Sequence, residues 1–178
     1  MTRLRQGFGG AGEFFARYRV FLGFVLAAAA LWLATPSRNS LLIGGTLMLL
    51  GECVRLWAAG HLEKSREVTR SGPYRFTRHP LYLGSSLIGA GFCVAARSVT
   101  VGVLVAAYLG LTLSAAIFSE EAHLREKFGD EYDAYAQKRS GPMARSFSLR
   151  RALHNREHQA VLGLAAGLAI LWMKLTDW

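Results

Sequence analysis

The sequence has few cysteines, few acidic residues and no linker rich in proline, glycine or serine. Its two cysteines, Cys53 and Cys93, lie within apolar runs and not at the spacing of a disulfide or metal-binding pair. We therefore predict that both are small core residues, and the sequence predicts no metal site. Long repeats and low-complexity tracts are also absent, so we expect one membrane-embedded domain over residues 1–178.

What the sequence does contain is long apolar runs separated by basic segments. Of its 178 residues 52% are hydrophobic, yet the formal net charge is +9. A membrane-crossing helix needs about 20 apolar residues, and runs of roughly this length occur at residues 19–35, 40–60, 81–96, 99–118 and 158–175. The third run would span only about 24 Å as a helix, so the third and fourth runs would form a hairpin that either crosses the membrane fully or does not. We predict an all-α integral membrane bundle of about five transmembrane helices.

The distribution of lysine and arginine predicts the orientation of this bundle. Seventeen of these residues fall in the N-terminal segment, the loop after the second run and the segment after the fourth, whereas Arg38, Arg97 and Lys174 fall on the opposite side. Cytoplasmic flanks retain positive charge, so we expect a cytoplasmic N-terminus, an uncleaved first helix and a location in the bacterial inner (plasma) membrane. The basic charge suits membrane lipids with anionic headgroups, and no aromatic-basic pattern indicates nucleic acid.

Two polar segments, residues 61–80 and 119–157, interrupt the apolar runs and share the predicted cytoplasmic face. In the second segment Leu124, Phe128, Tyr132 and Tyr135 recur at helical spacing beside charged residues. This pattern predicts a cytoplasmic amphipathic helix that lies on the membrane or covers a cavity. A structural cap and a functional lid both fit it.

Pro80 marks the predicted start of the third helix, because its fixed φ and missing N–H suit a first helical turn. The basic loop before it brings Arg75, Arg78 and His79 to a helix N-terminus. The helix dipole and free N–H groups there favour a carboxylate or phosphate. The sequence therefore predicts an anion-binding site at the membrane surface.

Two adjacent carboxylates, Glu120 and Glu121, lie at the end of the fourth run, where the helix dipole disfavours negative charge. Their cationic partner is either Arg125, one helical turn from Glu121, or a ligand. An anion site and a cation site on one face suit a ligand with a carboxylate and an ammonium or sulfonium group, such as S-adenosylmethionine. Tyr74 and Tyr82 would provide flat walls for its adenosine portion.

Charged residues occur near the ends of two further runs. Glu52 and Arg55 lie one helical turn apart inside the second run, where uncompensated charge is costly. We expect both to face the protein interior, either as a structural pair or as part of a substrate-binding cavity. Residues 154–158 match the zinc pattern H-x-x-E-H, but no suitable further ligand follows, and we interpret them as a solvated basic turn.

Two ordered motifs carry a family resemblance. The first is Gly72-Pro73-Tyr74 followed by Arg78-His79-Pro80-Leu81-Tyr82-Leu83-Gly84, and the second is Glu120-Glu121-x-x-Leu124-x-x-x-Phe128-Gly129-x-x-Tyr132-x-x-Tyr135. Over about residues 55–140 the chain resembles the isoprenylcysteine carboxyl methyltransferase family and its bacterial relatives. The resemblance implies an integral membrane enzyme that uses S-adenosylmethionine from a cytoplasm-facing pocket, with an opening to the lipid for an apolar substrate.

The resemblance also implies site residues, carried over by motif position. Glu120 would bind the methionine end of the cofactor. Eukaryotic members have a substrate-binding arginine four residues before that glutamate, where this chain has Ala116; this departure bears on the prenylcysteine substrate and leaves the cofactor assignment intact. The other cofactor contacts would be Arg66, Glu67, Val68, Thr69, Tyr74, His79, Pro80, Leu81 and Tyr82.

The predicted function is methyl transfer to a lipidic or prenylated acceptor. A carboxylate acceptor is already ionised and requires no base, so alignment and exclusion of water would supply most of the catalysis. An amine or hydroxyl acceptor would require a base, with Glu121 or His79 as candidates. We place Glu121 and Arg78 at the reacting centre. Two alternatives are an NADPH-dependent membrane reductase of the sterol-reductase type and a non-enzymatic membrane scaffold.

Overall fold

In a computed structural model of the chain, all regular elements of the described residues are helical. The structure describes residues 9–141 and 143–176, and side chains within 21–141 and 143–175. The elements are α1 (Gly9–Leu33), α2 (Arg38–His61), a 3-10 turn (Gly72–Arg75), α3 (Pro80–Ala96), α4 (Val99–Phe128), α5 (Asp130–Ala136), α6 (Leu149–His154) and α7 (Glu157–Thr176). The predicted all-α membrane bundle is confirmed.

Three of the described helices are long and apolar enough to cross a membrane: α2, α4 and α7. Two shorter apolar helical stretches, Phe21–Leu33 and Pro80–Ala96, coincide with the first and third predicted runs. The long helices expose many large apolar side chains, including Phe118 and Trp172. Such a surface suits lipid, because large apolar patches are otherwise rare on a protein facing water.

The largest helix–helix interface joins α2 and α3, and glycines allow it to be close. A Cβ atom on Gly51 would lie 2.7 Å from the carbonyl oxygen of Gly84, and one on Gly91 would lie 2.6 Å from that of Gly44. Small residues are typical of membrane helix interfaces, where backbones approach closely. This contact holds the start of α3 in place beside the C-terminal half of α2.

Helices α3 and α4 form the predicted hairpin. Arg97 ends α3 in the left-handed region with φ of 49°, and the side chain of Ser98 accepts from the backbone N–H of Val101 to cap α4. The neighbouring loop is tied to this corner, because the N–H of Thr35 donates to the carbonyl oxygen of Ala96 at 2.9 Å. The Lys174 ammonium also caps the end of α1, donating to three backbone carbonyl oxygens. We call this region the capped end.

The opposite end of the bundle carries the loop 62–79 and the segment 129–156, and we call it the polar end. The predicted amphipathic helix is not a separate element there. Helix α4 continues through Leu124 to Phe128, Gly129 breaks it with φ of 48°, and the short α5 follows. Glycine tolerates this positive φ, so the chain turns between Phe128 and Tyr132 and brings α5 back towards the loop.

The prediction for the cysteines is wrong in part. Both thiols are free, but Cys53 is exposed and Cys93 is only half-buried. Cys53 shares its face of α2 with the exposed Leu50 and Trp57, which lie one turn before and after it. The apolar run is apolar on all sides because lipid surrounds it, so hydrophobicity alone does not distinguish a core position.

Candidate active site at the polar end

The site begins where the loop enters α3. His79 is the residue before the first helical turn, and Pro80, which is fully buried, occupies the first helical position as predicted. The half-buried Leu81 follows, and its carbonyl oxygen accepts from the Ser85 hydroxyl at 2.9 Å. The ring of Tyr82 stacks on that of His79, with centroids 5.7 Å apart and planes inclined by 29°. The helix start therefore fixes an imidazole and a phenol side by side.

Glu121, near the end of α4, is the centre of an ion-pair cluster. Its Oε1 lies 3.0 Å from Nη1 of Arg78 and 3.0 Å from Nε2 of His79, and its Oε2 lies 3.2 Å from Nη2 of Arg125. The side chain is only 14% exposed. Hydrogen bonds between charged groups are stronger than those between neutral groups. Glu121 therefore stabilises the contact between the start of α3 and the end of α4. The contact with Arg125 considered from the sequence is present, together with two contacts from the loop.

Glu120 is in a different environment from its neighbour. Its side chain is 39% exposed, and its Oε2 lies 3.9 Å from Nδ1 of His79, too far for a hydrogen bond. That Nδ1 is buried and has no hydrogen-bond partner within the described part of the chain. Buried polar atoms normally have a partner, so His79 offers an unused ring nitrogen beside an available carboxylate.

Tyrosines of the loop and of α5 form one wall of this region. The Tyr135 hydroxyl donates to the carbonyl oxygen of Tyr74 at 2.8 Å, and the Arg125 guanidinium lies 5.5 Å from the Tyr132 ring centroid. Burial, and to a lesser extent the neighbouring Tyr132, raises the pKa of Tyr135 to about 12. Burial also raises the pKa of Tyr74, and the charges of Glu120 and Glu157 add to this effect. These phenols therefore stay neutral at physiological pH.

Residues 66–69 of the loop are held from outside the predicted motifs. The Arg145 guanidinium forms a bidentate pair with Glu67, at 2.5 and 2.8 Å, and the Thr69 hydroxyl accepts from the N–H of Glu63 at 3.2 Å. Val68 is buried, whereas the Arg66 side chain is 81% exposed. Sequence reasoning missed Arg145, because nothing in local spacing links two residues so far apart.

Two further basic groups near the site keep capacity for a ligand. The Arg70 Nε is buried without a hydrogen-bond partner among the described residues, although its Nη2 lies 3.4 Å from Glu131. Arg75 is exposed and forms none of the ion pairs found in the described ranges. By contrast, Arg78 is already paired with Glu121. The predicted anion site is thus partly neutralised by the protein itself.

A second polar cluster lies between α2, α3 and α7. The Arg55 Nε donates to Oε1 of Glu157 at 2.7 Å, and its Nη1 donates to the Ser85 hydroxyl at 2.5 Å. Glu52 Oε2 is 3.8 Å from the Arg55 Nε, and neither of its buried oxygens has a hydrogen-bond partner in the described chain. We call these four residues the interhelical cluster.

The interhelical cluster corrects one interpretation of the sequence. We expected the turn at residues 154–158 to be solvated, but Glu157 is only 4% exposed, so the prediction is wrong for this residue. Asn155 also points inward, with its amide donating to the carbonyl oxygens of Ala59 and Leu62. The missed signal was an acidic residue at the start of an apolar run, a position that requires a cationic partner.

The structure therefore brings Arg78, His79, Tyr82, Glu120 and Glu121 together at the polar end. Glu52 and Arg55 lie in a separate cluster deeper in the bundle, and Arg66 points to solvent. Among the described residues no group of histidine, cysteine and carboxylate side chains is arranged to hold a metal ion. The cofactor and catalytic roles assigned from the sequence stay predictions.

This helical membrane fold with a charged site at one end agrees with comparisons to known proteins. The chain belongs to the phospholipid methyltransferase family, whose profile matches residues 18–131. It is also similar to a probable protein-S-isoprenylcysteine O-methyltransferase of Oryza sativa, with 32% identity over 108 residues, covering 54% of this chain and 56% of the rice protein. These findings support a membrane methyltransferase.

Two bacterial metal-resistance proteins are similar as well. The nickel-cobalt-cadmium resistance protein NccN of Alcaligenes xylosoxydans xylosoxydans is 31% identical over 109 residues, covering 60% of this chain and 49% of that protein. The cobalt-zinc-cadmium resistance protein CzcN of Cupriavidus metallidurans is 32% identical over 128 residues, covering 68% and 59%. The chain thus spans about half to three-fifths of the length of these curated relatives. No solved structure matches it.

Proposed function

We propose that this protein is an S-adenosylmethionine-dependent methyltransferase that acts on a lipidic or prenylated acceptor at the membrane. The proposal rests on two neighbouring groups at the polar end: a histidine ring nitrogen that lacks a hydrogen bond in the described chain, and a carboxylate that is available to a ligand. Among the described residues, Nδ1 of His79 is buried without a hydrogen-bond partner, and it is the ion-pair partner found for Glu120, at 3.9 Å. Purely structural clusters leave few such groups unsatisfied.

The chemistry of the neighbouring groups fits the proposed cofactor. Its methionine end carries an ammonium and a carboxylate; Glu120 would hold the ammonium, and Arg75 together with Nε of Arg70 would hold the carboxylate. Tyr74 and the His79–Tyr82 stack would contact the adenosine portion, because aromatic faces pack well on a flat heterocycle. When bound, S-adenosylmethionine supplies an electrophilic methyl group on a sulfonium centre.

Within this proposal Arg78 and Glu121, which the sequence places at the reacting centre, act there by orienting the site through their ion pair. Their ion pair holds α3 against α4, which keeps His79 oriented through its Nε2. Such positioning reduces the entropy lost when a reactive geometry is formed. The segment Arg66 to Thr69 would line the cofactor through its backbone, since the side chains of Glu67 and Thr69 are already bonded within the protein.

The acceptor is expected to reach the site from the lipid, because the apolar helices around it expose large hydrophobic side chains. We place the protein in a bacterial inner membrane with its polar end on the cytoplasmic side, where the cofactor is available. The presence of Ala116 in place of a basic residue leaves no side-chain charge at that position to hold a substrate carboxylate. Prenylated and other lipidic acceptors both stay within the proposal.

Equilibrium binding of labelled S-adenosylmethionine to the purified protein in detergent tests the proposal. We expect His79→Ala and Glu120→Ala each to weaken binding about tenfold or more, which corresponds to roughly 1.4 kcal/mol. His123→Ala is the matched control, because His123 is an exposed residue of the same helix as Glu120. Unchanged affinity in both site variants would sink the proposal.

The same preparation distinguishes the two alternatives. A membrane reductase would bind NADPH and not S-adenosylmethionine, whereas a scaffold would bind neither. No contact in the described structure favours a nicotinamide cofactor over the proposed one. Binding of S-adenosylmethionine by the unmodified protein is therefore the result that separates the three functions.

A further inference from the structure

The interhelical cluster contains a carboxylate that the protein leaves without hydrogen bonds. The Glu52 side chain is 9% exposed, and both of its carboxyl oxygens are buried without a hydrogen-bond partner in the described chain. An unpaired polar group at such a depth is costly. The rest of the cluster is well paired, so this cost is confined to one residue.

Arg55 does not hydrogen-bond Glu52, because its Nε and Nη1 donate to other residues. Its Nε donates to Glu157 at 2.7 Å and its Nη1 to Ser85 at 2.5 Å, while Oε2 of Glu52 stays 3.8 Å from the Nε. The cluster thus contains two carboxyl groups and one guanidinium. When both carboxyl groups are ionised it has an excess negative charge that only a ligand or a proton can compensate.

The cluster is close to the proposed cofactor site. Ser85, which binds Arg55, lies three residues after Tyr82 on α3, a rise of about 4.5 Å along the helix. Burial raises the pKa of Tyr74, and the charges of both Glu120 at the polar end and Glu157 in the cluster add to this effect. The interhelical cluster thus lies about one helical turn deeper in the bundle than Tyr82.

We propose that Glu52 recognises the methyl acceptor by accepting a hydrogen bond from it, so that the acceptor presents a donor, an ammonium or a hydroxyl, rather than a carboxylate. This inference rests on the proposed methyltransferase function. A donor would satisfy the free oxygens of Glu52, and an ammonium would also balance the charge. On methyl transfer the accepting nitrogen or oxygen would give its proton to the Glu52 carboxylate and bond to the methyl carbon, while the carbon–sulfur bond breaks and the thioether product leaves. A carboxylate would meet the two carboxyl groups of Glu52 and Glu157 with one guanidinium, which already binds Glu157; this arrangement is repulsive. Arg55 is then a positioning residue and not an anion site.

The test uses three single-chain amphiphiles of equal length: hexadecylamine, hexadecanol and hexadecanoate. Binding of each to the full chain is measured by native mass spectrometry, and methyl incorporation is measured with labelled S-adenosylmethionine. We expect hexadecylamine or hexadecanol to bind and accept the label, and hexadecanoate to do neither. The response to amine and to alcohol distinguishes the two donors.

The variant Glu52→Gln keeps the shape of the side chain and removes its charge. It should weaken binding of the accepted amphiphile about tenfold or more and leave S-adenosylmethionine binding unchanged. Glu126→Gln, at an exposed residue of α4, is the matched control and should change neither. Thermal unfolding of each variant establishes that it is folded, and Glu52→Asp provides a second substitution that retains the charge.

Each outcome decides the inference. It is overturned if the unmodified protein prefers hexadecanoate, if it binds S-adenosylmethionine but none of the three amphiphiles, or if Glu52→Gln binds the accepted amphiphile as the unmodified protein does. Loss of S-adenosylmethionine binding in Glu52→Gln would place Glu52 in the cofactor site and overturn it as well. If the unmodified protein does not bind S-adenosylmethionine, the proposed function itself has failed.

Discussion

At the residue scale, the adjacent glutamates near the end of α4, Glu120 and Glu121, lie in different environments. Glu121 is largely buried among Arg78, His79 and Arg125, whereas Glu120 is more exposed and lacks a hydrogen bond to a described side chain. The first arrangement joins two helices, and the second leaves a carboxylate available to a ligand. Stability and binding should therefore depend on different members of the pair.

Isosteric substitutions separate the two effects. We expect Glu121→Gln to lower the free energy of unfolding by about 1–3 kcal/mol, because it leaves partly buried cations without their charged partner. At roughly 2–4 °C per kcal/mol, this is a measurable fall in the thermal midpoint in detergent. Glu120→Gln should change stability by less than about 0.5 kcal/mol and weaken S-adenosylmethionine binding. Equal effects of both variants on stability would contradict the assignment.

The Tyr135 phenol gives a prediction for alkaline pH. Its pKa is raised to about 12 in the folded protein by burial, compared with about 10 in an unfolded chain. The folded state therefore holds the proton more tightly, so the stability it contributes is complete below about pH 10 and is lost between about pH 10 and 12. Phenolate absorbance should show a late-titrating tyrosine that disappears in Tyr135→Phe; a titration curve unchanged by the substitution argues against this environment.

At the element scale, sequence signals that act over a few residues predicted where helices begin and turn. The sequence did not predict contacts between residues that are far apart in the chain. Pro80 predicted the start of α3, and the two polar residues after Ala96 predicted the hairpin, because caps and breakers act within a few residues. The break at Gly129 was not predicted, since the apolar spacing continues across it. The pairs Arg55–Glu157 and Glu67–Arg145 could not be predicted, because only the packed fold brings these residues together.

The same reasoning applies to the candidate site. Its two sequence motifs lie in different helices, and the structure places Arg78 and His79 directly on Glu121. The sequence suggested that the basic residues would bind an anion and the carboxylates a cation. It could not show that the protein satisfies most of these charges itself and leaves only some of them available.

Glycines at the α2–α3 interface yield an element-scale prediction. A Cβ atom on Gly91 would lie 2.6 Å from the Gly44 carbonyl oxygen and 2.7 Å from the Met48 backbone nitrogen. Because backbone atoms cannot move aside easily, we expect Gly91→Ala to destabilise the protein by about 1–3 kcal/mol. Gly110→Ala, whose new methyl group would have no described atom within 4 Å outside its own stretch of helix, should be neutral or slightly stabilising in the helix. Thermal unfolding of the two variants measures the difference.

At the scale of the whole molecule, a lysine of a long helix forms a hydrogen bond to a neighbouring segment at each end of the bundle. Lys127 of α4 donates to the carbonyl oxygen of Ser65 at the polar end, and Lys174 of α7 donates to the carbonyl oxygens of Leu31, Trp32 and Ala34 at the capped end. Most of the basic residues belong to the polar end. This asymmetry predicts that the polar end faces the cytoplasm.

Cysteine labelling in membrane vesicles measures this orientation. In a background with Cys53 and Cys93 replaced by serine, we expect Lys64→Cys to react with an impermeant maleimide only in inside-out vesicles. Thr100→Cys, exposed at the capped end, should react only in right-side-out vesicles. Labelling of both positions from one side would show that the α3–α4 hairpin does not cross the membrane.

The central claim, that the polar end holds a methyl donor, is tested most directly by binding of labelled S-adenosylmethionine to the purified protein and to His79→Ala and Glu120→Ala. The account predicts saturable binding by the unmodified protein that weakens about tenfold or more in each variant, with His123→Ala unchanged. Absence of saturable binding to the unmodified, folded protein, or equal affinity in all four proteins, would contradict it.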